Sequence, residues 1–194
     1  HPYRGLANNS VAYTERPDSE TFMEEWLALV KSKSGERGIF NRVASQTQAG
    51  KWGRRATDLS YGTNPCSEII LRDKQFCNLT EVVVRGEDTE STLANKVSLA
   101  TILGTIQSTL TSFQFLSEEW KKNTEEERLL GVSLTGIMDC KLTSKPDPRM
   151  LERLRDAARK TNQELSKELG IPPSASITCV KPSGTVSQLV DSAS

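Results

Sequence analysis

The sequence predicts an α/β fold in which parallel strands are covered by helices. Short β-branched runs alternate with segments of helical periodicity through most of the 194 residues. No internal repeat or low-complexity tract breaks the alternation. The composition, 36% hydrophobic and 26% charged, is that of a soluble globular chain.

The elements follow in order. Asn8-Asn9-Ser10-Val11-Ala12-Tyr13 is a polar loop entering a strand, and Asn9 and Ser10 are either ligand contacts or a plain polar turn. Asp18 is placed as an N-cap, with Phe22, Trp26, Leu29 and Val30 packing one helical face into the core. Lys31 to Arg37 is a charged linker containing Gly35, and Gly38-Ile39-Phe40 is a short buried strand. Ser45 to Tyr61 is polar and reads as a loop, with Arg54-Arg55 a solvated surface pair rather than a phosphate site. Gly62 and Pro65 mark a turn that sets Cys66 at a loop tip, beside the apolar run Ile69-Ile70-Leu71.

Cys77 to Val84 is rich in β-branched residues and predicts a buried strand. After a turn at Arg85-Gly86-Glu87-Asp88 comes a helix over 90–115, with Leu93, Val97, Ala100, Leu103 and Gly104 facing inward. Thr124-Glu125-Glu126-Glu127 has capping-box spacing. Leu130 to Gly136 is a strand bounded by glycines, followed by a structural Cys140. Asp147-Pro148 supplies an N-cap and a first-turn proline for a helix whose stripe is Leu151, Leu154, Ala158, Thr161 and Leu165 and whose stop is Gly170. Ile177-Thr178-Cys179-Val180 is a strand leading into Lys181-Pro182-Ser183-Gly184-Thr185-Val186-Ser187.

Charge and composition exclude several functions. Twenty-five basic side chains balance 25 acidic ones, so no large nucleic-acid footprint is expected. No apolar run is long enough to span a bilayer and no signal peptide opens the chain, so neither a membrane partner nor secretion is expected. Four cysteines without a C-x-x-C pair fit a reducing, cytoplasmic setting. The one histidine, His1, leaves no zinc site and no base for a cysteine or serine hydrolase. The opening His1 and the unstructured-looking close at Ser194 are read as the ends of an internal fragment.

Two stretches carry chemistry. Asn64, Cys66 and Glu68 place an amide, a thiol and a carboxylate on one loop, with Cys77 eleven positions beyond Cys66. The carboxylate can move a proton, and paired thiols can close to a disulfide and deliver two electrons. Cysteines are also common as inert core residues, and the local pattern leaves both readings open. The strand, small-residue turn and helix start at 181–187 offer backbone N–H and hydroxyl donors to an anion, without Walker A spacing. An ordinary capping turn is the equal alternative.

The stretches LANNSVAY (6–13), GIFNR (38–42), GTNPCSEI (62–69), CNLTEVVV (77–84), ERLLGVSLTGIMD (127–139) and TCVKPSGTVSQL (178–189) span nearly the whole chain. In that order they resemble the catalytic subunit of ribonucleotide reductase, most closely the class II, adenosylcobalamin-dependent type. The resemblance implies a single catalytic domain, a ten-stranded α/β barrel of two antiparallel halves with a central finger loop, of which residues 1–194 are an internal part.

Further implications concern the site. Cys66 is the thiyl radical that abstracts the substrate 3′-hydrogen, Glu68 takes the 3′-hydroxyl proton and Asn64 bonds the sugar hydroxyls. Cys77 is one of two thiols that reduce the 2′ position, its partner lying before His1. Pro182, Ser183, Gly184, Thr185 and Val186 bind substrate phosphates, and Ser10, Pro65 and Ser67 are further substrate contacts. The implied cofactor is adenosylcobalamin, although no cobalamin-binding element is identified. The implied reductant is a thioredoxin-like dithiol, and the substrate a ribonucleoside di- or triphosphate. A diiron-dependent class I enzyme and a non-catalytic nucleotide-binding module of the same fold are the alternatives.

Overall fold

The computed structural model of the protein describes residues 10–33 and 38–193. The chain folds as two compact units, His1–Asp73 and Lys74–Ser194. Among the described residues, three two-stranded sheets alternate with helices, as an α/β chain requires. Asn8, Asn9, His1 and the stretch around Gly35 lie outside the described residues.

In the first unit, β1 (Ser10–Tyr13) pairs in parallel with β2 (Gly38–Asn41), Ser10 opposite Gly38 and Ala12 opposite Phe40. β2 is half-buried rather than fully buried. The crossover contains α1 (Ser19–Ser32). Asp18 caps it, accepting the Thr21 N–H at 2.9 Å and the Thr21 hydroxyl at 2.7 Å. The backbone bond first, then the hydroxyl, holds the Asp18 carboxyl below its ordinary pKa.

The aromatic face of α1 is not core. The helix buries no residue, and Phe22, Trp26 and Val30 are 37%, 48% and 54% exposed. Phe22 and Trp26 stack on each other, centroids 6.4 Å apart. Helical periodicity specifies an apolar face but not what covers it.

The expected loop from Ser45 begins instead inside α2 (Arg42–Gly50). Asn41 caps α2, its Oδ1 accepting the Ala44 N–H at 2.9 Å. The helix is short and mostly polar and buries only Ser45 and Ala49, so it carries no apolar stripe to announce it. Arg55 is not a solvated residue either. It donates to the Ile70 carbonyl at 2.9 Å and lies 4.8 Å from the ring centre of the fully buried Tyr61. β3 (Gly62–Thr63) and β4 (Ile70–Leu71) close the unit as an antiparallel pair.

In the second unit, β5 (Asn78–Val83) and β6 (Leu130–Thr135) run parallel, Asn78 opposite Leu130 and Val83 opposite Thr135. Their crossover holds α3 (Glu90–Gln107) and α4 (Glu118–Glu127). A short 3₁₀ turn (Ile137–Asp139), α5 (Lys141–Ser144), α6 (Pro148–Leu169) and α7 (Thr185–Leu189) follow. Val82, Leu130 and Val132 of the strands pack with Leu93, Val97 and Ala100 of α3 and Met150, Leu154 and Ala158 of α6. Each large aliphatic side chain buried there contributes roughly 1.5–3 kcal/mol. Cys140 belongs to this core at 2% exposure, as expected of a structural cysteine.

Five expectations in this unit are corrected. α3 stops at Gln107, not near residue 115. The Ser108 and Thr109 hydroxyls turn back to the Thr105 and Ile106 carbonyls, and Arg128 caps the Ser108 carbonyl at 2.6 Å. Leu103 is 63% exposed, while Thr101 and Thr105 take inward positions with their hydroxyls on the carbonyls four residues back.

On α6 the buried line is Met150, Leu154, Ala158, Asn162 and Ser166, whereas Leu151 is exposed and Leu165 half-buried. Asp147 caps α6 and Gly170 ends it at φ 66°, both as the sequence predicts. Thr124 to Glu127 forms the last turn of α4 rather than a capping box, because Gln75 holds Glu127 and the Asn123 carbonyl at that end.

Finally, the strand expected at 177–180 is reduced to a parallel bridge of Thr178 with Val132. The Lys181 N–H leaves the ladder for the Ser133 hydroxyl at 3.1 Å, and Pro182 has no N–H to offer it. Past β6 the chain turns at Gly136, φ 77°. A Cβ there would lie 2.6 Å from the Val84 carbonyl oxygen, so only glycine fits.

Candidate functional site

Cys66 sits where the turn residues predict, on the connection between β3 and β4. Pro65 and Cys66 occupy the turn, which closes through the Ser67 N–H to the Asn64 carbonyl at 3.0 Å. The Asn64 side chain spans the same loop, its Oδ1 accepting the Ile69 N–H at 3.0 Å. Ser67 takes a left-handed conformation, φ 64°, and its hydroxyl lies 3.4 Å from that of Thr63. The result is a short hairpin tip with Pro65, Cys66 and Ser67 exposed and Asn64 and Glu68 half-buried at its base. Cys66 is a reduced, exposed thiol, two residues from a carboxylate shielded from bulk water.

A pocket of about 250 Å³ opens against this hairpin, and Ser10, Asn64 and Pro65 all line it. Side chains two apart on a strand share a face. Ser10 and Ala12 therefore look the same way from β1, and Phe40 stands opposite Ala12 on β2. The next residue of that alternation, Arg42, also lines the pocket, and the sequence reading missed it. The signal was present: Arg42 follows Phe40 by two positions, at the point where strand becomes helix.

The remaining predicted residues lie in the second unit. Cys77 is half-buried and immediately precedes β5, whose first residue, Asn78, donates to the Leu129 carbonyl. The 182–186 stretch forms the entry to α7, with Gly184 at φ 54° as its cap. Pro182, Gly184 and Thr185 are exposed and Val186 is half-buried. The Val186 N–H is already used by the Ser183 carbonyl at 3.0 Å. The Ser183 hydroxyl is buried without a hydrogen-bond partner. Cys179 lines a different, mainly apolar cavity of about 320 Å³ with Val132 and Leu154.

Among the described residues no group of three or more His, Cys, Asp or Glu is placed to hold a metal. None of the described helices is long and apolar enough to cross a membrane. Within the first unit, the Cys66 thiol and the Glu68 carboxylate can give up a hydrogen and move a proton, and Asn64 and Pro65 of the same hairpin line a pocket for a small polar ligand.

No family model matches the chain. Among curated proteins it is similar to adenosylcobalamin-dependent ribonucleoside-triphosphate reductases. Those of Lactobacillus delbrueckii subsp. bulgaricus and Lactobacillus leichmannii are each 30% identical over 96% of this chain and 29% of their own length. That of Lacticaseibacillus paracasei is 31% identical over 96% of this chain and 28% of its own. The chain thus spans less than a third of these relatives. Among solved structures, a B12-dependent class II ribonucleotide reductase superposes with a TM-score of 0.71 at 28% identity. It covers 98% of this chain and 30% of its own.

Proposed function

We propose that this chain, which belongs to the ribonucleotide reductase family, forms part of the catalytic barrel of an enzyme reducing ribonucleotides to 2′-deoxyribonucleotides. The observation that carries the reading is the hairpin itself. It presents a reduced, exposed Cys66 between Asn64 and Glu68, with Asn64 and Pro65 in the wall of a pocket that Ser10 and Arg42 also line. The ten-stranded barrel, and the hairpin as its central finger, are part of this proposal. So are a cytoplasmic location and a ribonucleoside triphosphate as substrate, the substrate class named in the relatives.

The residues divide the chemistry. A ribose C–H bond is too strong for acid–base chemistry, so Cys66 acts as a thiyl radical and removes the 3′-hydrogen as an atom. Glu68 takes the 3′-hydroxyl proton, which helps the 2′-hydroxyl leave as water. Two thiols, Cys77 and a partner, supply two electrons and close to a disulfide, and Cys66 returns its hydrogen atom to C3′. The sum is one ribonucleotide and one dithiol giving one deoxyribonucleotide, one disulfide and one water. A thioredoxin-like dithiol then reopens the disulfide.

Asn64 spends Oδ1 on the Ile69 N–H, so its bond to a sugar hydroxyl comes from Nδ2. Ser10, Pro65 and Ser67 complete the sugar side. The turn from Pro182 to Val186 takes phosphate oxygens, with the buried Ser183 hydroxyl as a donor in want of an acceptor.

The relatives are adenosylcobalamin-dependent. The residues here fit that cofactor at one point, the exposed reduced thiol of Cys66, which is the group of this chain that would face it. When bound, adenosylcobalamin supplies the one-electron oxidation that a thiol needs to become a radical.

The test is deoxyribonucleotide formation by the complete protein with a dithiol, with and without adenosylcobalamin, with Cys66→Ser as control. Cobalamin-dependent product lost in Cys66→Ser supports the reading. Product that needs a radical-generating partner protein instead moves it to class I. Nucleotide binding without product under either condition overturns it in favour of a binding module.

A further inference from the structure

Resting on the reading above, we infer that Arg42 is a substrate-binding residue that takes phosphate oxygens of the ribonucleotide at the pocket lined by Ser10 and Asn64, in addition to those taken by the Pro182–Val186 turn. Arg42 lines that pocket and is half-buried. Its Nε donates to the Tyr61 carbonyl at 3.0 Å, which fixes the plane of the guanidinium. Tyr61 is itself fully buried, with its hydroxyl on the Ala56 carbonyl at 2.7 Å, so the anchor is rigid. Among the described residues no carboxylate pairs with Arg42, although the chain carries as many acidic as basic side chains.

A half-buried guanidinium is costly unless its N–H groups are met. One of the five donors is used, by the Tyr61 carbonyl, and Arg42 lines a cavity of about 250 Å³. A planar fork with two parallel donors matches two oxygens of one phosphate, and the phosphate chain is the only anion a ribonucleotide carries. The neighbouring lining groups, the Ser10 and Thr63 hydroxyls and the Asn64 amide, are neutral and compete for no charge. Arg42 takes no part in the Asn64–Ile69 bond at the hairpin tip; its own tie is to the Tyr61 carbonyl, just before β3, which is why melting temperature is read beside the kinetics.

The experiment compares the complete wild-type protein with Arg42→Gln and Arg42→Lys. It reads KM and kcat for a ribonucleoside triphosphate, competitive inhibition by inorganic tripolyphosphate, and melting temperature. Arg42→Gln is expected to raise KM and the tripolyphosphate inhibition constant together by about tenfold or more, with kcat within a few-fold, because one charge-assisted bond is lost. Arg42→Lys keeps the charge but loses the fork and is expected to raise both about threefold or more.

An Arg42→Gln protein with a lower melting temperature but unchanged KM and inhibition constant overturns the inference and leaves Arg42 a structural tie to Tyr61. A raised KM with unchanged tripolyphosphate inhibition also overturns it, since the contact would then be to sugar or base. Should Arg42→Gln not fold, Arg42→Lys decides by the same two constants. A wild type without turnover instead defeats the reductase reading.

Discussion

The Asn64 side-chain oxygen accepts the Ile69 N–H at 3.0 Å, so the residue assigned to sugar binding also ties the hairpin that carries Cys66. Asn64→Asp separates the two duties. An aspartate oxygen can accept from Ile69 as before, but it has no Nδ2 donor and adds a negative charge two residues from Cys66. The expected outcome is a melting temperature within about a degree of wild type, with kcat/KM down roughly 10- to 100-fold. Asn64→Ala loses both and should lower stability by about 1 kcal/mol as well. Equal activity in Asn64→Asp and wild type would remove Asn64 from the substrate.

Exposure ranks the thiols. Cys66 is exposed, Cys77 and Cys179 are half-buried, and Cys140 is 2% exposed. Alkylation of the native protein, followed by mass spectrometry, should modify Cys66 first and Cys140 only on unfolding, with rates differing by about tenfold or more. Early labelling of Cys140 would contradict its place in the core.

Asp88 makes the turn from β5 into α3 depend on pH. Its Oδ2 takes the Lys96 ammonium at 2.6 Å and the Arg85 N–H at 2.8 Å, and its Oδ1 takes the Thr92 hydroxyl at 2.7 Å. Burial alone raises the carboxyl pKa, but Lys96, Thr92 and the Arg85 N–H together outweigh it and hold the group below its ordinary value. A depressed carboxylate contributes stability above its unfolded-state pKa, about 4, and loses it as pH falls through the folded value. Asp88→Asn should therefore cost about 2 kcal/mol at neutral pH and much less near pH 3. Urea unfolding at both pH values checks this, and an equal cost at each would refute the linkage.

Asn162 is the polar centre of the second unit. At 0% exposure it donates to the Thr105 hydroxyl at 2.9 Å and the Ser174 hydroxyl at 3.0 Å, and accepts the Ser174 N–H at 2.9 Å. Asn162→Ala would strand a buried N–H and open a cavity, at about 2–4 kcal/mol. Thermal unfolding should show the loss, and a change below about 1 kcal/mol would mean the network relaxes without it.

These residues also explain what was legible in the sequence. Caps and turns act locally, so Asp18, Asp147, Gly170 and the Gly62–Glu68 hairpin are readable from a few neighbours. So are β5, which is rich in β-branched residues, and β6, which is bounded by glycines. The inward faces of α3 and α6 were misread because their buried positions include polar residues: Thr101 and Thr105 place their hydroxyls on the carbonyls four residues back, and Asn162 bonds to Thr105 on a different helix. A template that admits only apolar residues slides to Leu103 and Leu151. α2 was hidden for the same reason. In the site, Cys66 and its flanking residues were legible as a loop. The pocket was not, because only β1–β2 pairing brings Ser10, Phe40 and Arg42 onto one side.

Gly136 finally bears on how relatives of this chain should be sorted. The steric demand at that position, a Val84 oxygen 2.6 Å from any added Cβ, has nothing to do with radicals or nucleotides. A descendant that abandoned catalysis would still need a glycine there to fold, and would be under no pressure to keep a thiol at the Cys66 position. Intact GVSLTG in a newly sequenced cousin therefore testifies to ancestry and shape. The discriminating letters for living chemistry are the asparagine, cysteine and glutamate of the β3–β4 tip.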